Sequence, residues 1–89
     1  MSYRIEVRPS AQREILALPG YVRAQARQMI RAIGENPRPS RALELRERPS
    51  MYPISLAGRW RIVYEVDDDM QMVLILRARL KETVDYQSL

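Results

Sequence analysis

At 89 residues, 46% of them apolar, the chain is expected to form a single domain over 1–89, with enough apolar surface for one core and too little length for a second. The absence of cysteine and histidine excludes disulfide frameworks, thiolate or imidazole metal sites and histidine-based triads, so any catalysis falls to Arg, Lys, Tyr, Asp or Glu. The net charge is +4 and every cation except Lys81 is arginine, whose planar fork of donors matches phosphate oxygens; an anionic partner is favoured, with solubility the plain alternative.

The first residues, Tyr3, Ile5 and Val7 alternating with Arg4, Glu6 and Arg8, have the period of a half-buried strand and leave no room for the apolar segment of a signal peptide. The longest apolar run, Met72 to Leu76, is far short of the ~20 residues of a membrane span, so a cytoplasmic protein is expected. After Pro9, Ser10 is a plausible N-cap, and Ala11, Ile15 and Leu18 at i, i+4 and i+7 predict a short helix over about 10–18. Pro19-Gly20 breaks it. Val22, Ala26, Met29, Ile30 and Ile33 line one side of a second, longer helix that Asn36-Pro37 stops, completing a helical hairpin. Arg23, Arg27 and Arg31 form a stripe on its opposite side, read as a solvated surface. The stretch from Arg38 to Ser50, with Pro39, Pro49 and a charged run from Glu44 to Arg48, reads as an ordered loop with Leu43 and Leu45 turned inward.

The last third carries three strands separated by turns at Ala57-Gly58 and Asp67-Asp68-Asp69. Tyr52, Ile54 and Leu56 share one face; so do Trp60, Ile62, Tyr64 and Val66; and alternation gives Met72, Leu74, Leu76 and Ala78 to the same face of the last strand, toward the helices. Pro53 removes a ladder donor, which suits an edge strand. Antiparallel pairing brings Arg59 and Arg61 beside Arg77 and Arg79 on the outer face, a cluster whose mutual repulsion calls for an anion or for carboxylates. The order β-α-α-β-β-β indicates an α+β fold, an antiparallel sheet packed against the N-terminal hairpin. The three aspartates read as a hairpin turn rather than a cation site.

The first strand, the hairpin bending at Leu18-Pro19, the Asn36-Pro37-Arg38-Pro39 stop and the strand Gly58-Arg59-Trp60-Arg61-Ile62-Val63-Tyr64-Glu65-Val66, followed by Arg77-Ala78-Arg79, Lys81 and Tyr86, resemble the RelE/ParE family of bacterial toxins over nearly the whole chain. That resemblance implies the toxin of a type II toxin–antitoxin system. RelE-like members cut mRNA on the ribosome without a metal, moving the 2′-hydroxyl onto the adjacent phosphate and so stopping translation and growth; ParE-like members block DNA gyrase and are not nucleases. Both are neutralised by an antitoxin whose C-terminal segment folds onto the toxin. Expected partners are therefore the antitoxin, in a hetero-oligomer, with mRNA and the ribosome or, alternatively, gyrase; no cofactor or metal is implied.

Cleavage through a 2′-hydroxyl needs positive charge on the phosphate, a proton acceptor and a donor to the leaving oxygen. Arg61 matches the family's strand arginine and is the candidate to hold the scissile phosphate. Arg79 matches the terminal arginine, a role that Arg77 or Lys81 fills after a register change of two. Tyr86 is the candidate for proton transfer or base stacking, and Arg59, Arg77 and Lys81 are candidate RNA-binding residues. For Arg61 the alternatives to a catalytic role are a bridge to Glu65 or a place in the antitoxin interface, and Trp60 and Tyr64 are assigned to the core. The chain departs from the nuclease pattern at Pro53 and Ser55, where basic residues are usual, and at Ala78, where histidine often stands. Those departures favour the non-enzymatic alternative, while the arginine-rich end and Tyr86 favour the nuclease.

Overall fold

The computed structural model describes residues 2–45 and 47–89; Met1 and Arg46, the latter inside the charged run of the long loop, lie outside the described residues. Strand β1 (Arg4–Val7) leads into helices α1 (Pro9–Ala17) and α2 (Gly20–Glu35), followed by strands β2 (Met51–Leu56), β3 (Trp60–Asp67) and β4 (Met72–Leu80) and two short 3₁₀ turns, Lys81–Thr83 and Tyr86–Ser88. The sheet order is β1-β4-β3-β2. The three C-terminal strands are antiparallel, and β1 joins β4 in parallel, so the α+β sheet as a whole is mixed.

Helix α1 begins one residue earlier than its periodicity suggests. Pro9 occupies the first helical position, where its fixed φ suits the helix and its missing N–H costs nothing, and Arg8 rather than Ser10 is the cap residue. The apolar stripes of both helices, Ala11 and Ile15 from α1 and Val22, Ala26 and Ile33 from α2, pack on Ile54, Leu56, Ile62, Tyr64, Val73 and Ile75 of the sheet. Full burial of each large side chain contributes roughly 1.5–3 kcal/mol. Tyr64 stacks on Tyr52 with ring centroids 5.6 Å apart and donates its hydroxyl to the Pro37 carbonyl at 2.7 Å. Burial pushes that phenol up to about 12, so it serves as a neutral donor that ties the end of α2 to the sheet.

The face assignment of β4 needs a correction. Val73 and Ile75 face the helices, whereas Leu74 and Leu76 lie on the outer side, the reverse of simple alternation from Met72. A β-bulge explains both halves. Val63 pairs with Arg77 but Tyr64 pairs with Ile75, so Leu76 is an extra residue on β4. Without it, the phase that buries Val73 and Ile75 would drive Arg77 and Arg79 into the helix layer. The bulge shifts that phase by one residue, returning Ala78 to the core and turning the arginines outward. The outer face is apolar because it is covered: Met51, Val63 and Leu76 are buried, with Leu45, Val84, Tyr86 and Leu89 packed over them. Leu43, expected to turn inward, is instead 74% exposed; Leu45 alone of the pair makes that contact.

Arginines of the long loop fasten two neighbouring segments. Arg48 donates to the carbonyl of Leu89 and to that of Gln87, the latter at 3.0 Å, which lays the C-terminal segment across the sheet. Strand β2 is an edge, as Pro53 suggests, and Arg41 donates to the Ser55 carbonyl at 2.9 Å along it.

Candidate functional site

The site lies where β3 begins and β4 ends. The turn before β3 holds Ala57 and Gly58 at φ of 51° and 79°, a conformation that glycine adopts freely, and it delivers Arg59, exposed, with its guanidinium 6.0 Å from the centre of the Trp60 ring. Arg61 follows on β3, opposite Ser55 on one side and Arg79 on the other. It is half-buried, and its Nη1 donates to the hydroxyl oxygen of Tyr86 at 2.9 Å. Two residues 25 positions apart in sequence are thus in direct contact. The contact exists because the C-terminal segment folds back over the bulged strand, and Tyr86 packs its ring on the outer apolar cluster while presenting its hydroxyl to Arg61.

The other basic residues divide sharply. Arg77 is taken up by Glu14 of α1: its Nη1 lies 3.0 Å from Oε2, and the other oxygen of that carboxylate accepts the Ala78 backbone N–H, also at 3.0 Å. That N–H sits beyond the reach of β1, which pairs with β4 only over Met72–Ile75, so Glu14 caps an otherwise open stretch of edge. Arg79 is held more loosely. Its Nη1 is 3.6 Å from the same Glu14 oxygen, and its Nε donates to Thr83 Oγ1 at 3.0 Å. Lys81 is exposed, its backbone N–H donating to the Arg59 carbonyl at 3.0 Å. Among the described residues no carboxylate pairs with Arg61, and the alternative bridge to Glu65 is not formed. A cavity of about 310 Å³ adjoins the cluster, walled by Glu14, Leu18, Trp60, Ala78, Arg79 and Thr83.

The sheet's other end has the opposite sign. A cleft of about 450 Å³ is lined there by Glu65, Asp67, Asp68 and Asp69. The aspartates do form the hairpin turn, with Asp67 accepting the Met70 N–H at 3.1 Å. Asp68 receives both Nη groups of Arg38, at 3.0 and 2.8 Å, together with the Tyr3 hydroxyl at 2.7 Å. The Arg38 hydrogen bond holds the Asp68 carboxyl below its ordinary value, and Asp68 in turn raises the Tyr3 phenol. Arg38 also donates to the Tyr52 hydroxyl at 2.8 Å. Among the described residues no three carboxylates converge to hold a metal ion. The basic cluster and the acidic cleft thus lie at opposite ends of the β3–β4 pair.

Sequence reasoning singles out Arg61, Arg79 and Tyr86 but not Glu14, Thr83 and Arg48, which the fold brings against the basic cluster and the C-terminal segment. Glu14 is one acid on the polar side of a short helix, next to Arg13, and nothing in its local pattern distinguishes it from a solvated residue. Its importance arises only when α1 docks against the uncovered end of β4.

The chain matches the model of the ParE toxin of type II toxin–antitoxin systems over residues 5–82. No match was found among curated proteins. Among solved structures, a doubly substituted Escherichia coli RelE toxin in the free state is 28% identical with a TM-score of 0.84, covering 99% of this chain and 93% of that one. The toxin–antitoxin complex RelBE of E. coli gives 27% identity and a TM-score of 0.79, with coverages of 89% and 96%. The RelBE2 complex of Mycobacterium tuberculosis, at 23% identity and a TM-score of 0.77 with coverages of 91% and 100%, shares the fold. The chain belongs to the RelE/ParE family of type II toxin–antitoxin toxins.

Proposed function

We propose that this toxin is an endoribonuclease that cleaves mRNA on the ribosome by 2′-hydroxyl transfer and is held inactive in a hetero-oligomer with a cognate antitoxin. The observation that carries the reading is the Arg61–Tyr86 hydrogen bond on a guanidinium that has no carboxylate partner among the described residues. A half-buried, charge-unpaired arginine is maintained at a cost unless an anion completes it, and the negative charge that builds on a phosphate in the transition state is such an anion. Guanidinium carries five N–H donors, so Arg61 can engage Tyr86 and two phosphate oxygens together.

In this scheme Arg61 fixes the scissile phosphate, with Arg79 from the adjoining strand as the second cation. The 2′-oxygen attacks phosphorus and the bond to the 5′-oxygen breaks. Tyr86 accepts from Arg61 through its oxygen, which leaves its own O–H to protonate the departing 5′-oxygen, while the 2′-proton passes to water and water returns a proton to the Tyr86 oxygen. Arg59 and Lys81, both exposed beside the site, contribute phosphate attraction and on-rate. Arg77 is removed from the RNA-binding set because its charge is engaged by Glu14. The RelBE complexes among the similar structures support the antitoxin as partner. Pro53 and Ser55 supply no cation from β2, so the catalytic work concentrates on β3, β4 and the C-terminal segment.

Induction of the protein without its antitoxin, with mapping of mRNA 5′ ends, tests this. New ends inside translated codons and arrested translation are expected. Unchanged 5′ ends accompanied by DNA damage would overturn it in favour of gyrase inhibition.

A further inference from the structure

We propose that Glu14 is an internal anion that holds Arg79 at rest and releases it when an RNA phosphate docks between Arg61 and Arg79, so that this carboxylate sets the affinity of the site. The inference rests on the nucleic-acid reading above and assigns a positioning role to a residue outside the reacting group.

One carboxylate faces two guanidinium groups, and it does not treat them alike. Oε2 is 3.0 Å from Arg77 Nη1, a hydrogen-bonded ion pair whose two side chains are 28% and 20% exposed. The same oxygen is 3.6 Å from Arg79 Nη1, beyond hydrogen-bond distance, and the Arg79 side chain is more exposed at 36%. Oε1 is committed to the Ala78 N–H. Glu14 is therefore anchored by Arg77 and the strand edge, and Arg79 is the partner that can leave at small cost. Arg79 stands opposite Arg61 in the β3–β4 register, where a phosphate held by Arg61 falls within its reach. In the resting arrangement Arg79 is turned toward Glu14 and Thr83, along the wall of the Trp60 cavity. Phosphate binding must outcompete this attraction, and the repulsion between Glu14 and the incoming anion adds to the cost. The benefit is that the like-charged pair Arg61 and Arg79 is partly neutralised when no RNA is present.

The test uses the full chain, with a single-stranded 2′-O-methyl oligoribonucleotide, which binds but lacks the nucleophile, titrated over a series of salt concentrations. Glu14→Gln keeps an amide oxygen for the Ala78 N–H and removes the charge. It is expected to bind about fivefold tighter or more, with a salt dependence at least as steep as that of the wild type. The gain should vanish in an Arg79→Gln background and persist in an Arg77→Gln background, a distinction that a merely structural role of Glu14 does not produce. In the cleavage assay the same substitution should lower KM and leave kcat within about twofold. Unchanged or weaker binding by folded Glu14→Gln, an equal gain without Arg79, or no binding of the oligonucleotide by the wild type would each overturn the proposal. Binding with the Glu14 effect but no mRNA cleavage by the wild type refutes the nuclease reading alone; cleavage without a Glu14 effect refutes this inference alone.

Discussion

The two ends of the sheet use arginine in opposite ways. At the aspartate turn, Arg38 is fully engaged by Asp68 and the Tyr52 hydroxyl, and its neighbours are carboxylates. At the other end Arg61 donates to the Tyr86 hydroxyl and stands opposite a second arginine, Arg79, while the Glu14 carboxylate lies 3.0 Å from Arg77 and 3.6 Å from Arg79. The difference separates two uses of the same side chain. A guanidinium matched by a carboxylate fastens chain segments together; one left without a carboxylate is available to an anion from outside. Spacing along the sequence does not grade these uses, since Arg77 and Arg79 are two residues apart on one strand, yet Glu14 hydrogen-bonds the first at 3.0 Å and only approaches the second at 3.6 Å.

The largest effect expected from breaking the contrast is at Arg61. Arg61→Ala should abolish growth arrest in cells and reduce mRNA cleavage by about 100-fold or more, because it removes the charge on which the phosphate depends, with circular dichroism and Tm nearly unchanged. Tyr86→Phe keeps the ring in the outer apolar cluster and deletes only the hydroxyl, so cleavage should fall about tenfold to 100-fold while thermal unfolding is preserved. A change in Tm as large as the loss of rate would show instead that Tyr86 acts by packing. Among the engaged charges the readout moves from activity to stability: Glu14→Ala leaves Arg77 and the Ala78 N–H without their acceptor and should cost about 2 kcal/mol in denaturant unfolding. Tyr64→Phe, which orphans the Pro37 carbonyl, should cost about 1 kcal/mol by the same measurement.

The smallest effect is a pH dependence at the aspartate turn. Asp68 is held below its ordinary carboxylate value in the folded protein by Arg38, then by Tyr3. Its contribution is therefore present above the unfolded-state value and is lost as the pH falls through the folded-state one. As the pH is lowered from neutral through the ordinary carboxylate range, the stability advantage of wild type over Asp68→Asn should shrink as acid protonates the carboxylate. A constant difference across that range would remove Asp68 from the fastening of this end.

Much of the architecture was legible because apolar periodicity and punctuation agreed: the helix-facing sets of β2 and β3, the break at Pro19-Gly20 and the edge position signalled by Pro53 are all local. The β4 phase was not. Val73 and Ile75 on one side, Leu74 and Leu76 on the other, are all apolar because the C-terminal segment covers the outer face, and alternation carries information only when one face is wet. The parallel seat of β1 and the bulge at Leu76 are likewise set by long-range pairing. For the site, the family-like strand exposed Arg61, and the basic ending exposed Arg79 and Tyr86, but the sorting of the arginines depends on Glu14, which reaches them across 63 positions of sequence.

The central claim, that the unpaired guanidinium is functional and the paired one structural, is tested most directly by assaying Arg61→Ala and Arg77→Ala side by side for cleavage of ribosome-bound mRNA, with Tm measured on the same preparations. The account predicts that Arg61→Ala loses about 100-fold or more in rate at an unchanged Tm, whereas Arg77→Ala stays within about threefold in rate and unfolds several degrees lower. Full activity in Arg61→Ala, or a comparable loss of rate at unchanged Tm in Arg77→Ala, would contradict it.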